Sequence, residues 1–245
     1  MEEKSPAIVD LSSWRKVLVT GSDALDWLED LVSAGLTEIR QQEARRSLLL
    51  TPTGRIRADF HVTPYEDGYL LLQDPVQPRA IDEVLAPYVL SSDVDLEELS
   101  DGPTAGRWSS DVLVPVGSTL YGPMDLEQFD EWRTRHGIPR FGIDLDDDSL
   151  PQEAGWDRFI DFTKGCFMGQ EAMAKIRALG GHPTRVVLAL RTKESVRAGD
   201  PLLAGGREVG VVTSAADDCV LARVSWDARN SALRTANGVT LSQRD

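Results

Sequence analysis

The sequence predicts an α+β fold that ends in a small all-β unit, on three observations. Between Arg46 and Val62, two strand-like runs flank Pro52-Thr53-Gly54, the pattern of a hairpin. Helical spacings at 22–32, 77–88, 125–135 and 170–179 interrupt the strands without the regular alternation of a doubly wound sheet. After Gly180-Gly181-His182-Pro183 the apolar runs become short and evenly spaced, which implies a small barrel or sandwich.

Taken in order, Trp14–Val19 reads as a strand that turns at Thr20-Gly21-Ser22 into a helix. Ser22 is the expected N-cap, with Asp23 and Asp26 near the positive helix end. Leu25, Leu28, Leu31 and Val32 form the apolar stripe, and Trp27 lies beside it as a packing aromatic or a ligand platform. In the hairpin, Ile56, Ala58 and Phe60 alternate with Arg55, Arg57 and Asp59. The polar set is either a solvated sheet face or the lining of a cleft. Tyr69–Gln73 is a strand, 77–88 a helix and Val94–Leu99 another strand. A Gly/Pro-rich linker at 101–106 leads to one or two strands in 108–116, and Gly117 and Gly122-Pro123 mark a loop. Asp125–Arg135 is helical, with Leu126, Phe129, Trp132 and the stem of Arg133 inward. Strands follow at Arg185–Arg191, Pro201–Leu203, Glu208–Thr213 and Cys219–Val224. The expected units are 1–103, 104–183 and 184–245.

The composition is that of an ordinary globular protein of 245 residues, 41% hydrophobic and 27% charged. A net charge of -14 argues against broad nucleic-acid binding, which needs Lys and Arg to neutralise phosphates. The two cysteines, Cys166 and Cys219, fall in different units and suit a reducing compartment. Residues 1–6 have no apolar secretory core, and no run reaches the roughly 18 apolar residues that cross a bilayer. The expectation is a cytoplasmic, monomeric protein without direct nucleic-acid or membrane partners.

Most chemistry-bearing motifs fail. Neither a phosphate-cradling P-loop nor a dinucleotide fingerprint occurs, and His61, His136 and His182 lack metal-ligand spacing. Asp144, Asp146 and Asp148 open like a calcium loop, but Ser149 and Gly155 replace its glycine and glutamate, so the run reads as a solvated acidic loop and no metal is expected. The stretch that carries chemistry is Phe162-Thr163-Lys164-Gly165-Cys166-Phe167-Met168-Gly169-Gln170-Glu171, ahead of a helix with Met173, Ile176 and Leu179 at helical spacing. A positive helix end and the ammonium of Lys164 both favour a thiolate at Cys166. An inert, packed cysteine is the competing reading.

Lys164, Gly165, Cys166, Phe167, Gly169, Gln170 and Glu171 match the K-G-C-[FY]-x-G-Q-E signature, and the chain resembles the YgfZ-type folate-binding proteins, relatives of the glycine-cleavage T-protein (aminomethyltransferase). Leu11–Leu28, the Leu49–Val62 hairpin and the Gly137–Glu153 segment resemble the same family. The resemblance implies a T-protein-like arrangement of two α/β lobes and a C-terminal β-barrel. It also implies tetrahydrofolate or a one-carbon folate in a cleft between lobes, and iron–sulfur client or assembly proteins as partners. On this reading Cys166 is the functional thiol and Lys164 its activator. Gly165, Phe167, Gly169, Gln170 and Glu171 shape the turn, and Trp27, Arg55, Arg57 and Asp59 are candidate folate contacts.

Two departures stand out. On this resemblance the position of the aminomethyltransferases' catalytic aspartate falls on or near Ala80, with Asp82 two residues on and off that face, and Arg135 stands where many relatives carry a glutamate that helps hold the pterin. A guanidinium cannot accept hydrogen bonds from pterin N–H groups. The sequence therefore favours a folate-binding protein supporting assembly or repair of iron–sulfur enzymes, including those that modify tRNA. The alternatives are a folate-dependent aminomethyl- or methyltransferase using Asp82 or Asp59, and a partner-binding scaffold without ligand.

Overall fold

The computed structural model describes residues 7–109, 112–116 and 122–244. The N-terminal hexapeptide, where a secretory core was sought, and Gly117 lie outside the described residues. The strands are β1 (Ala7–Asp10), β2 (Arg15–Thr20), β3 (Arg45–Leu50), β4 (Ile56–Tyr65), β5 (Gly68–Gln73), β6 (Asp95–Glu98), β7 (Ala105–Ser109), β8 (Val112–Val116), β9 (Arg185–Arg191), β10 (Pro201–Ala204), β11 (Arg207–Ala216), β12 (Cys219–Ser225), β13 (Leu233–Thr235) and β14 (Thr240–Gln243). The helices are α1 (Ala24–Leu31), α2 (Ile81–Leu85), α3 (Leu126–Arg135) and α4 (Gln170–Ala178).

A five-stranded sheet, ordered β3-β4-β5-β2-β6, forms the first lobe. Its strands β3, β4, β5 and β2 are largely buried on both faces, and the edge strand β6 is exposed. Leu49, Ala58, Phe60, Val62 and Leu71 pack under α1 and α2. On the other face, Leu70 and Leu72 meet the second sheet, β1-β7-β8, and Phe129 of α3. Leu48, Leu50 and Ile56 meet Phe141, Trp156, Phe167 and Met173 of the cysteine-bearing segment. Because β1 pairs with β7, residues 7–10 cross the expected boundary at 103 and join the second sheet. Strands β10-β11-β12-β9-β14-β13 close a six-stranded barrel around its own core of Leu190, Leu202, Val212 and Val220. The architecture is thus α+β with a closed C-terminal barrel, as the strand spacing and the family resemblance imply.

Local chemistry explains most elements, and two expectations need correction. Helix α3 carries a full capping box, Asp125 accepting from the Gln128 amide and Gln128 from that of Asp125. Helix α1 begins at Ala24 and has Asp23 in the N-cap position, not Ser22. The Ser22 hydroxyl bonds Asp93 at 2.7 Å instead, tying the turn to the loop before β6. The acidic run is only partly solvated: Asp146 and Asp148 are exposed, as expected, but Asp144 is not. Asp144 is buried, accepting from Arg133 Nη1, from Ser214 Oγ at 2.7 Å and from Thr213 Oγ1. Asp146 pairs with Arg223 of the barrel at 2.6 Å. These carboxylates face guanidiniums across an interdomain seam, a role that spacing alone does not reveal.

Candidate functional site

The segment 159–168 is stitched to the end of α1 and the chain after it. The Asp161 amide donates to Ser33 O at 2.9 Å, the Ser33 hydroxyl to Phe159 O at 2.9 Å, and the Met168 amide to Asp30 O at 3.2 Å. Asp161 accepts from both the amide and the hydroxyl of Thr163, a turn that reverses the chain into Lys164. Those bonds hold the Asp161 carboxyl below its ordinary range.

Lys164 is the anchor of this loop. Its Nζ donates to Val32 O at 2.8 Å and Ala34 O at 2.9 Å, and lies 2.8 Å from Glu29 Oε2. The side chain is 5% exposed, and burial pushes its pKa below the ordinary lysine value, with Glu29 acting against that. Burial pushes Glu29 up, but the Lys164 ammonium and the Leu36 amide outweigh it and leave the carboxyl below its usual range. The cation that the sequence aims at the thiol is therefore held by a carboxylate and two α1-end carbonyls.

Cys166 is a free, exposed thiol. It stands three residues ahead of Gly169, the N-cap of α4, not on the helix itself. Phe167 is buried beside Leu50 and Trp156 and turns the chain inward after the exposed cysteine. Gly169 has φ +84°, and a Cβ there would meet Thr51 O at 2.7 Å and Leu50 Cβ at 2.8 Å. Only glycine lets the start of α4 dock so closely on the end of β3. A Cβ on Gly165 would meet nothing within 4 Å, and its backbone makes no demand for glycine. Gln170 and Glu171 line a shallow groove along α4 with Phe162 and Arg177.

A larger groove of about 730 Å³ opens between the first lobe and the cysteine loop, bounded by Glu29, Arg45, Arg46, Arg158, Asp161 and Lys164 among others. Its size is that of a small-molecule site. At its floor, buried Arg46 makes a bidentate pair with Asp59, at 2.8 and 2.7 Å, under the rings of Trp156 and Phe159. Neither Glu29 nor Arg46 carried a sequence signal, since each acquires its neighbours only through contacts distant in the chain.

The remaining sequence candidates lie elsewhere. Trp27 is buried in the first-lobe core, its indole donating to Tyr88 O at 3.0 Å, so it packs and does not face the groove. Arg55 donates to Asp148 O on the surface, and Arg57 lies near Asp147 at 3.9 Å. Asp59 is buried and neutralised by Arg46, so it belongs neither to a solvated face nor to a free acid. Its strand face is covered because the sheet packs on both sides. Ala80 occupies the N-cap position of α2, where no side chain can accept a hydrogen bond. Arg135 reaches the barrel turn at Asp217, at 2.6 Å, rather than the groove. Among the described residues, no cluster of His, Cys, Asp or Glu has a metal-binding arrangement, and no helix is long and apolar enough to cross a membrane.

No family model matches the chain. An aminomethyltransferase of Moorella thermoacetica is 37% identical over 110 residues, covering 45% of this chain and 27% of that protein. One from Thermosynechococcus vestitus is 25% identical over an alignment of 260 positions, covering 84% of this chain and 71% of its own length. The chain thus spans about a quarter of the first of these relatives and most of the second. The crystal structure of glycine cleavage system aminomethyltransferase T from Bartonella henselae superposes with a TM-score of 0.79 at 16% identity, over 98% of this chain and 85% of that one. Similar in sequence over long stretches and in fold over nearly its whole length, the chain is a homologue of the aminomethyltransferases.

Proposed function

We propose that this protein binds tetrahydrofolate or a one-carbon folate in the groove beside Lys164 and supports the assembly or repair of iron–sulfur enzymes, tRNA-modifying ones included, through Cys166 in the cytoplasm. The observation that carries the reading is the exposed thiol of Cys166 two residues beyond Lys164, which lines the groove and pins the loop. Likeness to aminomethyltransferases supports a folate ligand, and the Lys-Gly-Cys motif supports the YgfZ-type role. Two of the groove's three carboxylates, those beside the cysteine loop, support binding over turnover. Glu29 is committed to Lys164, and Asp161 is held ionised by Thr163, so neither is a ready proton donor. Alanine at position 80 removes the carboxylate that aminomethyl transfer uses in relatives. A single cysteine cannot hold a four-thiolate cluster, so any cluster contact is shared with the client's ligands. The test is a Cys166→Ala variant expressed in a strain lacking the native gene. Loss of iron–sulfur enzyme activity is expected, and full rescue would remove the thiol from the function.

The second reading, folate-dependent aminomethyl or methyl transfer, is favoured by the names of the sequence relatives. Asp82, half-exposed in the first turn of α2, is the carboxylate left to it. Turnover of an aminomethyl donor with tetrahydrofolate, lost in Asp82→Asn, would establish this reading in place of the first.

A further inference from the structure

Beside the groove lies a small chamber of about 10 Å³ that shares Arg46 with it as a lining residue. Trp14, Arg46, Asp59, Asp74, Trp108 and Arg140 are among its lining residues. Three of them carry buried nitrogens with no hydrogen-bond partner among the described residues: Trp14 Nε1, Trp108 Nε1 and Arg46 Nη1. The residues are 4%, 5% and 3% exposed. Ring contacts hold the group together. His61 sits 6.5 Å from Trp14 and 5.3 Å from Trp108, and the Arg46 guanidinium lies 5.7 Å from the Trp108 ring. Indole and guanidinium nitrogens are donors only, so three unmet donors belong to side chains that line one void. Burying such groups unpaired is costly, and native proteins rarely do so.

We propose that this chamber is a binding site for one structural water molecule. Its volume is that of about one water. The choice of water over a small anion follows from charge. Arg46 is already balanced by Asp59, and Arg140 by Asp74 at 2.6 Å, so the chamber has no excess of positive charge. Both carboxylates also retain lone pairs that can accept from a water's hydrogens, which a halide lacks. The water accepts from the two indole nitrogens and donates toward a carboxylate, joining Trp14 to Trp108 of the second sheet beside the Arg46 guanidinium.

The test is a high-resolution crystal structure of the full chain grown in sodium bromide. The expected result is density of water strength within hydrogen-bonding distance of the two indole nitrogens, without an anomalous bromide peak. A bromide peak would make the chamber an anion site, and empty density would make it dry; either overturns the proposal. A second measurement replaces Trp108 with 3-benzothienylalanine, which keeps the ring shape and deletes the N–H. Loss of a bond to water lowers the folding equilibrium constant about five-fold. An unchanged or raised constant, as deletion of an unpaired donor gives, overturns the proposal.

Discussion

Lys164 Nζ lies 2.8 Å from Glu29 Oε2 and also caps the carbonyls of Val32 and Ala34. One ammonium thereby fixes the cysteine loop to the end of α1. Removing it leaves a mostly buried carboxylate unpaired. Breaking a buried pair costs about 3–5 kcal/mol, and because Glu29 is 16% exposed the lower end is expected. For Lys164→Met, urea denaturation is expected to show a loss of about 3 kcal/mol. A change within about 0.5 kcal/mol, the range of ordinary surface substitutions, would show that the loop is held by other contacts.

The same pair gives a pH dependence. Glu29 titrates below its unfolded value of 4.5 in the folded protein. Its contribution to stability is therefore complete above pH 4.5 and is lost as the pH falls through the lowered folded value. Denaturation midpoints of the wild type are expected to drop on acidification through this window, and those of Glu29→Gln to drop less steeply. Parallel profiles for the two proteins would remove Glu29 from the acid response.

The two motif glycines are expected to behave differently. Gly169→Ala forces a side chain into φ +84° and against Thr51 O. The expected loss is well above about 1 kcal/mol, since strain and a backbone clash combine. Gly165→Ala meets open space and is expected to leave the denaturation midpoint in place. If Gly165→Ala nonetheless abolishes support of iron–sulfur enzymes, the bare backbone beside Cys166 serves the approach of a ligand or partner. Equal destabilisation by both substitutions would contradict the docking geometry.

Arg133, 0% exposed, is held by Asp144 and Ser214, and so bolts α3 to the barrel. Asp144→Asn removes its buried counter-charge. Asp130, 2.7 Å from the same guanidinium, remains as a partner, so the expected cost is about 3 kcal/mol, the lower end for a broken buried pair, with faster amide exchange in β11. Arg135→Ala, at a surface pair with Asp217 and Glu131, is the control and is expected to change stability by less than about 1 kcal/mol. An equal effect of the two would contradict the central role of the buried bolt.

Local chemistry was legible in the sequence. The hairpin around Gly54, the helix over Asp125–Arg135 and the glycine at the start of α4 follow from turn and periodicity rules, and each is in place. So does the β-rich C-terminus, although the short strands β13 and β14 carry no apolar run that marks them. Long-range electrostatics was not legible. Asp144 looks like any acid in an acidic loop until Arg133 is brought to it. Asp59 looks solvent-facing until the sheet is seen to be covered on both sides. Lys164 is two residues from the thiol in sequence, but Glu29 and the end of α1 claim its charge.

The most direct test of folate binding beside the cysteine loop is a crystal structure with 5-formyltetrahydrofolate bound. Ligand density is expected in the groove between Glu29 and the 158–164 segment, with the Cys166 thiol left open to solvent two residues beyond it. Density at another surface, or none at saturating ligand, would contradict the assignment of this groove.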